Sequence, residues 1–249
     1  MSEVTPDTDG RGGLSRRAAA RLAGIGYLVI FGLSLFANFV AREALIDRDD
    51  AAATAENIAD AEALFRAGMV AFLVVFVLDV AIAWALYVFF RTTDRDLSLL
   101  TAWFRLVYTV FLGVALISSF MVVGLLSDDR HLGAFDADQI DAQVLFSLDA
   151  FDYAWVIGLA CFGVHLVLLG VLVFRSTPIP NLIGVLLVLA GLGYITDTVA
   201  RAVLTSYDDY AGVLLAIVAV PSIIGEYAFT LWLLLRGARE PDGEPALAG

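Results

Sequence analysis

The sequence predicts an all-α, polytopic integral membrane helical bundle with six transmembrane helices and short loops. Six apolar runs, each about twenty residues or longer, alternate with charged loops. A run of that length crosses the roughly 30 Å hydrocarbon core as a helix, because a helix rises about 1.5 Å per residue. The hydrophobic fraction of 60% and the mean hydropathy of +0.85 exceed those of soluble domains. Helices are favoured because lipid offers no partner to backbone polar groups.

The six predicted spans use almost the whole chain, so we expect one membrane domain over residues 18–236. The polar tails at 1–17 and 237–249 are expected to be disordered. In chain order the predicted spans are Ala18–Val40, Leu64–Phe90, Ser98–Leu126, Phe146–Phe174, Asn181–Leu204 and Ala211–Leu235.

The segments next to the spans carry their own helix signals. The first run exceeds the length of a signal-peptide core, so we expect it to be retained. The loop that follows contains an alanine-rich stretch, Asp50–Glu62, which predicts a short helix at the membrane interface. Asp136–Gln143 predicts a turn of helix leading into the fourth span. Pro180 fixes where the fifth span begins, because proline suits the first turn of a helix.

Small residues recur seven positions apart in the fourth and fifth spans. They are Gly163 and Gly170 in the fourth, and Gly184 and Gly191 in the fifth. Small residues allow helix backbones to approach closely, so the pattern predicts that these two helices pack together.

The arginines are unevenly distributed, and the sequence contains no lysine. The predicted outside loops contain Arg42, Arg48 and Arg130, each diluted by acids, and the predicted inside segments contain most of the other arginines. The predicted inside set is Arg11, Arg16, Arg17, Arg21, Arg91, Arg95, Arg175, Arg236 and Arg239. By the positive-inside rule, this bias predicts a multi-pass protein of the cell membrane with both termini cytoplasmic.

The chain is strongly acidic, with 27 Asp and Glu against 15 basic residues and a net charge of −12. Such a surface is tolerated when concentrated salt screens its repulsion, so the composition favours a halophilic source. A GC-rich genome is the alternative explanation. The lipid bilayer is the expected partner, and the charge argues against nucleic acid and anionic lipid.

The sequence offers little for catalysis or cofactor binding. Cys161 is the only cysteine, and His131 and His165 are the only histidines, which argues against disulfides and multi-histidine metal sites. The absence of lysine excludes a retinal Schiff base. The serines belong to no nucleophile motif, so we expect no enzymatic activity and no cofactor.

Four ionisable residues fall at similar depth inside four different spans: Asp79, Arg105, His165 and Glu226. Ionisable groups in a span are costly and usually face the bundle interior. If Arg105 pairs with only one of the two acids, the other is free to exchange a proton, as in a proton relay. The alternative is a buried ionic lock that fixes helix register. Pro221 predicts a kink beside Glu226.

A second polar set lies toward the predicted outer ends of the spans. Asp197 and Arg201 are four residues apart, so they share a helical face and can pair. The set could line an outer vestibule, although charges at helix ends also snorkel to water without any function. Its members are Asn38, Arg42, Arg66, Asp149, Asp152, Asp197 and Arg201.

Several short motifs occur in a recognisable order and spacing. They are Asp79 with Ala83-Trp-Ala-Leu-Tyr-Val-Phe-Phe, Phe104-Arg-Leu, Phe162-Gly-Val-His, Arg175-Ser ahead of Pro180, Leu189-Ala-Gly-Leu-Gly-Tyr-Ile-Thr-Asp and Gly225-Glu226. Over about residues 18–236 the chain resembles an uncharacterised prokaryotic membrane-protein family known as domain of unknown function 4386. The resemblance implies a six-helix membrane protein and no assigned activity.

Two hypotheses of function follow. The first is a small transporter or proton-coupled carrier with Asp79, Glu226 and His165 as relay and Arg105 as counter-ion. The second is a structural or interaction membrane protein whose buried charges only fix helix packing. The sequence specifies neither the small-molecule or ion substrate nor the oligomeric state.

Overall fold

The computed structural model describes residues 13–127, 133 and 135–239. His131 and most of both predicted tails, residues 1–12 and 240–249, lie outside the described residues. The regular structure is α1 Arg16–Leu35 with a π-helical extension Phe36–Glu43, α2 Ala51–Asp60, α3 Glu62–Phe90, α4 Arg95–Ser127, α5 Ala137–Arg175, α6 Asn181–Val203, a 3₁₀ turn Tyr207–Asp209, and α7 Ala211–Trp232 with a π-helical extension Leu233–Gly237.

Six of these helices are long and apolar enough to cross a membrane, and they coincide with the six predicted spans. The largest difference in bounds is at α5, which begins at Ala137. Its start is set by a capping box, in which Asp136 and Gln139 each bond the other's backbone N–H. The expected helical turn before the fourth span is therefore the first part of α5, and the all-α membrane architecture is confirmed.

The caps of the shorter elements also follow the sequence. Asp50 Oδ1 accepts a hydrogen bond from the Ala53 N–H at 2.9 Å, so α2 begins where the alanine-rich stretch does. The short helix expected in the first loop is therefore confirmed. Its buried side, which includes Ile58, packs against α5 and α3.

The six long helices form a ring in the order α1, α3, α4, α5, α6, α7, and α7 returns to α1. The start of α1 and the end of α7 lie at one end of this ring, here called the terminal face, and α2 lies at the opposite end, the distal face. Large apolar side chains such as Val77 and Phe120 point outward, 60% and 62% exposed, as expected of a surface in contact with lipid.

Glycines bring α5 and α6 together along their length, which confirms the packing predicted from the small residues. A Cβ on Gly163 would lie 2.6 Å from the Gly191 carbonyl oxygen, and a Cβ on Gly170 would lie 2.7 Å from that of Gly184. The two backbones are therefore as close as glycine permits.

The contact between α1 and α7 is concentrated toward the terminal face. There the π-helical extension of α7 packs on α1, and a Cβ on Gly24 would lie 2.6 Å from Leu234 Cγ. Farther along, the Phe31 and Tyr227 rings stack with centroids 4.3 Å apart. Beyond this pair, toward the distal face, the two helices border an open cavity.

Candidate functional site

Arg105 is the centre of a polar cluster inside the bundle. Its Nη2 donates to Asp79 Oδ1, and its Nη1 donates to the Tyr27 hydroxyl oxygen at 2.7 Å. The Arg105 and Asp79 side chains are each only 2% exposed. Helices α4, α3 and α1 are therefore joined by a fully buried ion pair and a charge-assisted hydrogen bond.

His165 joins the same cluster from α5. Its Nδ1 lies 2.9 Å from the Thr101 carbonyl oxygen, and its Nε2 lies 3.4 Å from Arg105 Nη1. A carbonyl can only accept and a guanidinium can only donate, so the Nδ1–H tautomer of neutral histidine satisfies both contacts. In that state His165 connects α5 to the cluster, which then joins four helices.

Aromatic rings close the cluster on its remaining sides. The Arg105 guanidinium carbon lies 4.8 Å from the centre of the Tyr27 ring and 5.6 Å from that of Phe162. These are cation–π distances, and both rings exclude solvent from the charge. Arg105 Nε is buried without a hydrogen-bond partner. The cation is thus enclosed, with Asp79 as its counter-ion.

Glu226, the second acid of the predicted layer, lies outside this ion pair. It is 9% exposed, and within the described residues its carboxylate forms neither an ion pair nor a side-chain hydrogen bond. Its backbone oxygen accepts from Thr230 Oγ1 at 2.7 Å, which is a bond within α7. The structure therefore brings together Asp79, Arg105 and His165, and Glu226 forms no ion pair with any described residue.

Glu226 lines a cavity of about 440 Å³ between α1 and α7, here called the α1–α7 cavity. Its rim residues Leu35, Phe39 and Ile223 are all more than half exposed on the apolar outer surface of the bundle, so the cavity opens sideways toward lipid. Its walls are mostly apolar and aromatic. The described residues that line it are Phe31, Ser34, Leu35, Asn38, Phe39, Tyr194, Ser222, Ile223, Glu226 and Tyr227.

The local sequence of α7 explains how an acid comes to face this cavity. A Cβ on Gly225 would lie 2.9 Å from Leu186 Cβ, so Gly225 holds α7 close against α6. The next residue is Glu226, which then points into the space beside α1. Ser222, one turn earlier, is too small to fill that space. The Ser222 Oγ lies near the Tyr194 side chain, but it is buried and forms no hydrogen bond of normal geometry with any described residue.

The predicted outer set is divided into separate groups. Arg42 Nη2 donates to Asp152 Oδ1 at 2.6 Å, and Arg48 Nη1 lies 2.9 Å from Asp152 Oδ2. Arg48 also lies 3.7 Å from Asp149 Oδ1, so one network ties the distal end of α1 to α5. Asn38 Nδ2 donates to the Ser34 carbonyl oxygen at 3.1 Å and belongs to the α1–α7 cavity.

The remaining outer residues pair locally. Arg66 Nη2 lies 2.6 Å from Glu62 Oε1 within α3. Arg201 Nε donates to Asp197 Oδ2 at 3.1 Å, as the four-residue spacing predicts. Asp197 also accepts from the Tyr207 hydroxyl at 2.6 Å. A vestibule shared by the whole set stays a prediction.

Two groups outside the spans have shifted pKa values. The backbone N–H of Leu97, together with nearby Arg175, holds the pKa of the Asp94 carboxyl below its ordinary value. Burial and the hydrogen bond to Asp197 raise the pKa of Tyr207 to about 12. Both groups therefore hold one protonation state across neutral pH, Asp94 as the carboxylate and Tyr207 as the phenol.

Sequence reasoning missed the aromatic members of the site. Tyr27 was not singled out, although a phenol in an apolar span usually needs a polar partner. Phe31 and Tyr227 gave no signal, because aromatic residues are ordinary in spans, and Tyr194 entered only as part of the motif that begins at Leu189. Arg48 lies in the loop after the first predicted span, and only the folded chain shows its contact with Asp152.

The fold and the site define a polytopic helical membrane protein with a closed buried ion pair and, separately, an acidic cavity that opens toward lipid. The chain belongs to the family described as Domain of unknown function (DUF4386), which it matches over residues 22–237. It is similar to an uncharacterized protein of Archaeoglobus fulgidus, 28% identical over 171 residues that cover 69% of this chain and 84% of the relative. No solved structure matches the chain.

Proposed function

We propose that this protein is a small membrane carrier that binds its cargo in the α1–α7 cavity and exchanges a proton at Glu226. One observation carries the proposal: the Glu226 carboxyl group lines a cavity and has no counter-ion among the described residues, while Arg105 is held by Asp79. A carboxylate within the membrane needs a compensating charge. Where the protein supplies none, a proton or a cargo cation can supply it.

This assignment narrows the relay predicted from the sequence. Arg105 bonds Asp79 and Tyr27 and contacts His165, and among the described residues it forms no ion pair or hydrogen bond with Glu226. We therefore propose Glu226 as the proton-exchanging group, with the Arg105 cluster holding four helices around it. No catalytic step is part of the proposal.

A second candidate function is a structural or interaction role in the membrane. The specific observation that favours it is the closed Arg105 cluster, which fixes helix packing without access to solvent. On this hypothesis the α1–α7 cavity would hold a lipid chain or a neighbouring helix, and Glu226 would have no exchange function.

The orientation is also a proposal. Each described arginine near the distal face pairs with an acid: Arg42 with Asp152, Arg48 with Asp152, Arg66 with Glu62 and Arg201 with Asp197. Eight described arginines lie toward the terminal face against these four: Arg16, Arg17, Arg21, Arg91, Arg95, Arg175, Arg236 and Arg239. We propose that this face is cytoplasmic and that the protein resides in the cell membrane.

The carrier proposal predicts that the cavity becomes accessible from both sides of the membrane. Cys161 is the only cysteine, so Cys161→Ala provides a cysteine-free background for Ser222→Cys, which places one thiol in the cavity. The protein is reconstituted in liposomes of known orientation, and a membrane-impermeant maleimide is added to one side at a time. Ser118→Cys in α4, which is buried and does not line the cavity, is the matched control.

A carrier should give labelling of the Ser222→Cys thiol from each side, faster than labelling of the control. Labelling from neither side, or from one side only under every pH tested, would contradict the carrier and favour the structural role.

A further inference from the structure

We propose that the cargo of the α1–α7 cavity is a lipophilic organic cation, such as a quaternary ammonium or phosphonium ion bearing apolar groups, that enters from the bilayer. This inference rests on the proposed function and names its class of cargo. It is carried by the charge, the aromatic lining and the sideways opening of the cavity.

The charge of the lining selects against anions. Among the described residues, Glu226 is the only acidic side chain that lines the cavity, and no arginine lines it. The nearest buried cation of the polar layer, Arg105, is already paired with Asp79. An anionic ligand would therefore meet a carboxyl group with no positive partner, whereas a cation would supply the missing charge.

The walls suit a cation that carries apolar groups. Phe31 and Tyr227 stack at 4.3 Å and 14° between ring planes, and Phe39 and Tyr194 complete the aromatic lining. Aromatic faces attract organic cations and also accept apolar substituents. A divalent metal ion suits the site less well, because Glu226 is the single carboxylate in the described lining and no group of three or more metal-ligating His, Cys, Asp or Glu side chains occurs among the described residues.

The position of the opening indicates the route of entry. Phe39, Ile223 and Leu35 are 65%, 58% and 53% exposed on a surface that lipid would cover. A ligand that partitions into the bilayer can reach Glu226 by this route without crossing the closed ring of helices. The volume of about 440 Å³ is in the range of small-molecule sites, roughly 300–1,000 Å³.

The binding step conserves charge and atoms. When the cation binds, the Glu226 O–H bond breaks, the oxygen keeps the electron pair as carboxylate, and one proton leaves to solvent. Release of the cation reverses the step. No oxidant, reductant or covalent bond to the cargo is involved.

The test measures binding of tetraphenylphosphonium to the purified full chain by equilibrium dialysis in detergent and high salt, with proton release followed in weakly buffered solution. Tetraphenylborate, an anion of similar size and shape, is the charge control. Glu226→Gln removes the acid, and Glu62→Gln removes an acid that pairs with Arg66 outside the cavity.

We expect saturable binding of phosphonium, with up to one proton released per cation bound. The affinity should be at least about tenfold weaker in Glu226→Gln, because the charge-assisted contact is lost there. The affinity should be unchanged in Glu62→Gln, which keeps that contact. Phe31→Leu should weaken binding several-fold, while Tyr227→Phe, which keeps the ring, should not. Equal binding of phosphonium and borate, or unchanged phosphonium binding in Glu226→Gln, would overturn the inference.

The two proposals fail in different ways. If the Ser222→Cys thiol is labelled from both sides but phosphonium does not bind, the cargo class is wrong and the carrier stands. If phosphonium binds through Glu226 but the thiol is reached from one side only, the ligand class stands and the transport role is wrong.

Discussion

Asp79 and Glu226 are both acids within spans, yet the bundle treats them in opposite ways. Asp79 is 1% exposed and paired with Arg105, which also bonds Tyr27 and contacts His165. Glu226 is 9% exposed, lines the α1–α7 cavity and has no counter-ion among the described residues. Arg105 compensates the charge of Asp79, and we propose that a proton or a ligand compensates that of Glu226. A buried charge therefore indicates function only after its partners are known.

The largest effect is expected from breaking the compensated site. Arg105→Gln leaves Asp79 buried without its counter-ion and should lower the free energy of unfolding by roughly 3–5 kcal/mol. Denaturant unfolding in detergent and high salt measures this loss in the free energy of unfolding. The double variant Arg105→Gln with Asp79→Asn should recover most of this loss, because no uncompensated charge remains. A single variant that unfolds like the parent would show that Asp79 is already solvated.

A smaller loss is expected when only the hydroxyl in the same cluster is removed. Tyr27→Phe keeps the ring over the guanidinium and deletes the acceptor of the 2.7 Å bond from Arg105. Hydrogen bonds to charged groups contribute about 1.5–3 kcal/mol to stability, so the free energy of unfolding should fall by that amount. The control is Tyr153→Phe, whose side chain is 68% exposed and should change little. Equal effects at both tyrosines would refute the role of Tyr27.

The uncompensated site should respond much less to the same kind of change. Glu226→Gln removes a charge that has no partner to lose, so the free energy of unfolding should change by no more than about 1 kcal/mol. The same unfolding measurement, run beside Arg105→Gln, tests the comparison directly. A loss as large as that of Arg105→Gln would mean that Glu226 is held by the cluster, and the contrast between the two acids would disappear.

The smallest effect is expected at the terminal face, where water screens the pair of Asp94 and Arg175. The folded-state pKa of Asp94 lies below its ordinary value of 3.8, so its carboxylate stabilises the fold above that pH. This contribution is lost as the pH falls through and below that value. Asp94→Asn keeps a capping side chain but should show a weaker decline in melting temperature between about pH 5 and pH 3. An identical acid decline in both proteins would contradict the assignment.

Much of this architecture was predictable because it depends on local sequence. The six spans were found from run length and apolarity, and the helical turn expected at Asp136–Gln143 is the first part of α5. The close approach of α5 and α6 followed from glycines such as Gly163 and Gly191, which permit it whatever the rest of the bundle does. The halophilic source and the cytoplasmic termini stay predictions.

The partners of the buried charges were not predictable, since each residue turns the side-chain direction by about 100° around a helix axis. Small differences in helix rotation decide whether Arg105 meets Asp79, 26 positions away, or Glu226. The sequence gives the depth of each residue in the membrane, and this places the four ionisable residues at one level. It does not determine which of their side chains are in contact.

The sequence by itself determined that this chain forms six membrane helices and which ionisable groups are buried in them, because hydrocarbon imposes the same requirement on every segment separately. Only the tertiary structure decided that Arg105 is enclosed and that Glu226 faces a cavity. That cavity lies between α1 and α7, the first and last helices of the ring, and whether they close completely depends on how all the helices between them pack.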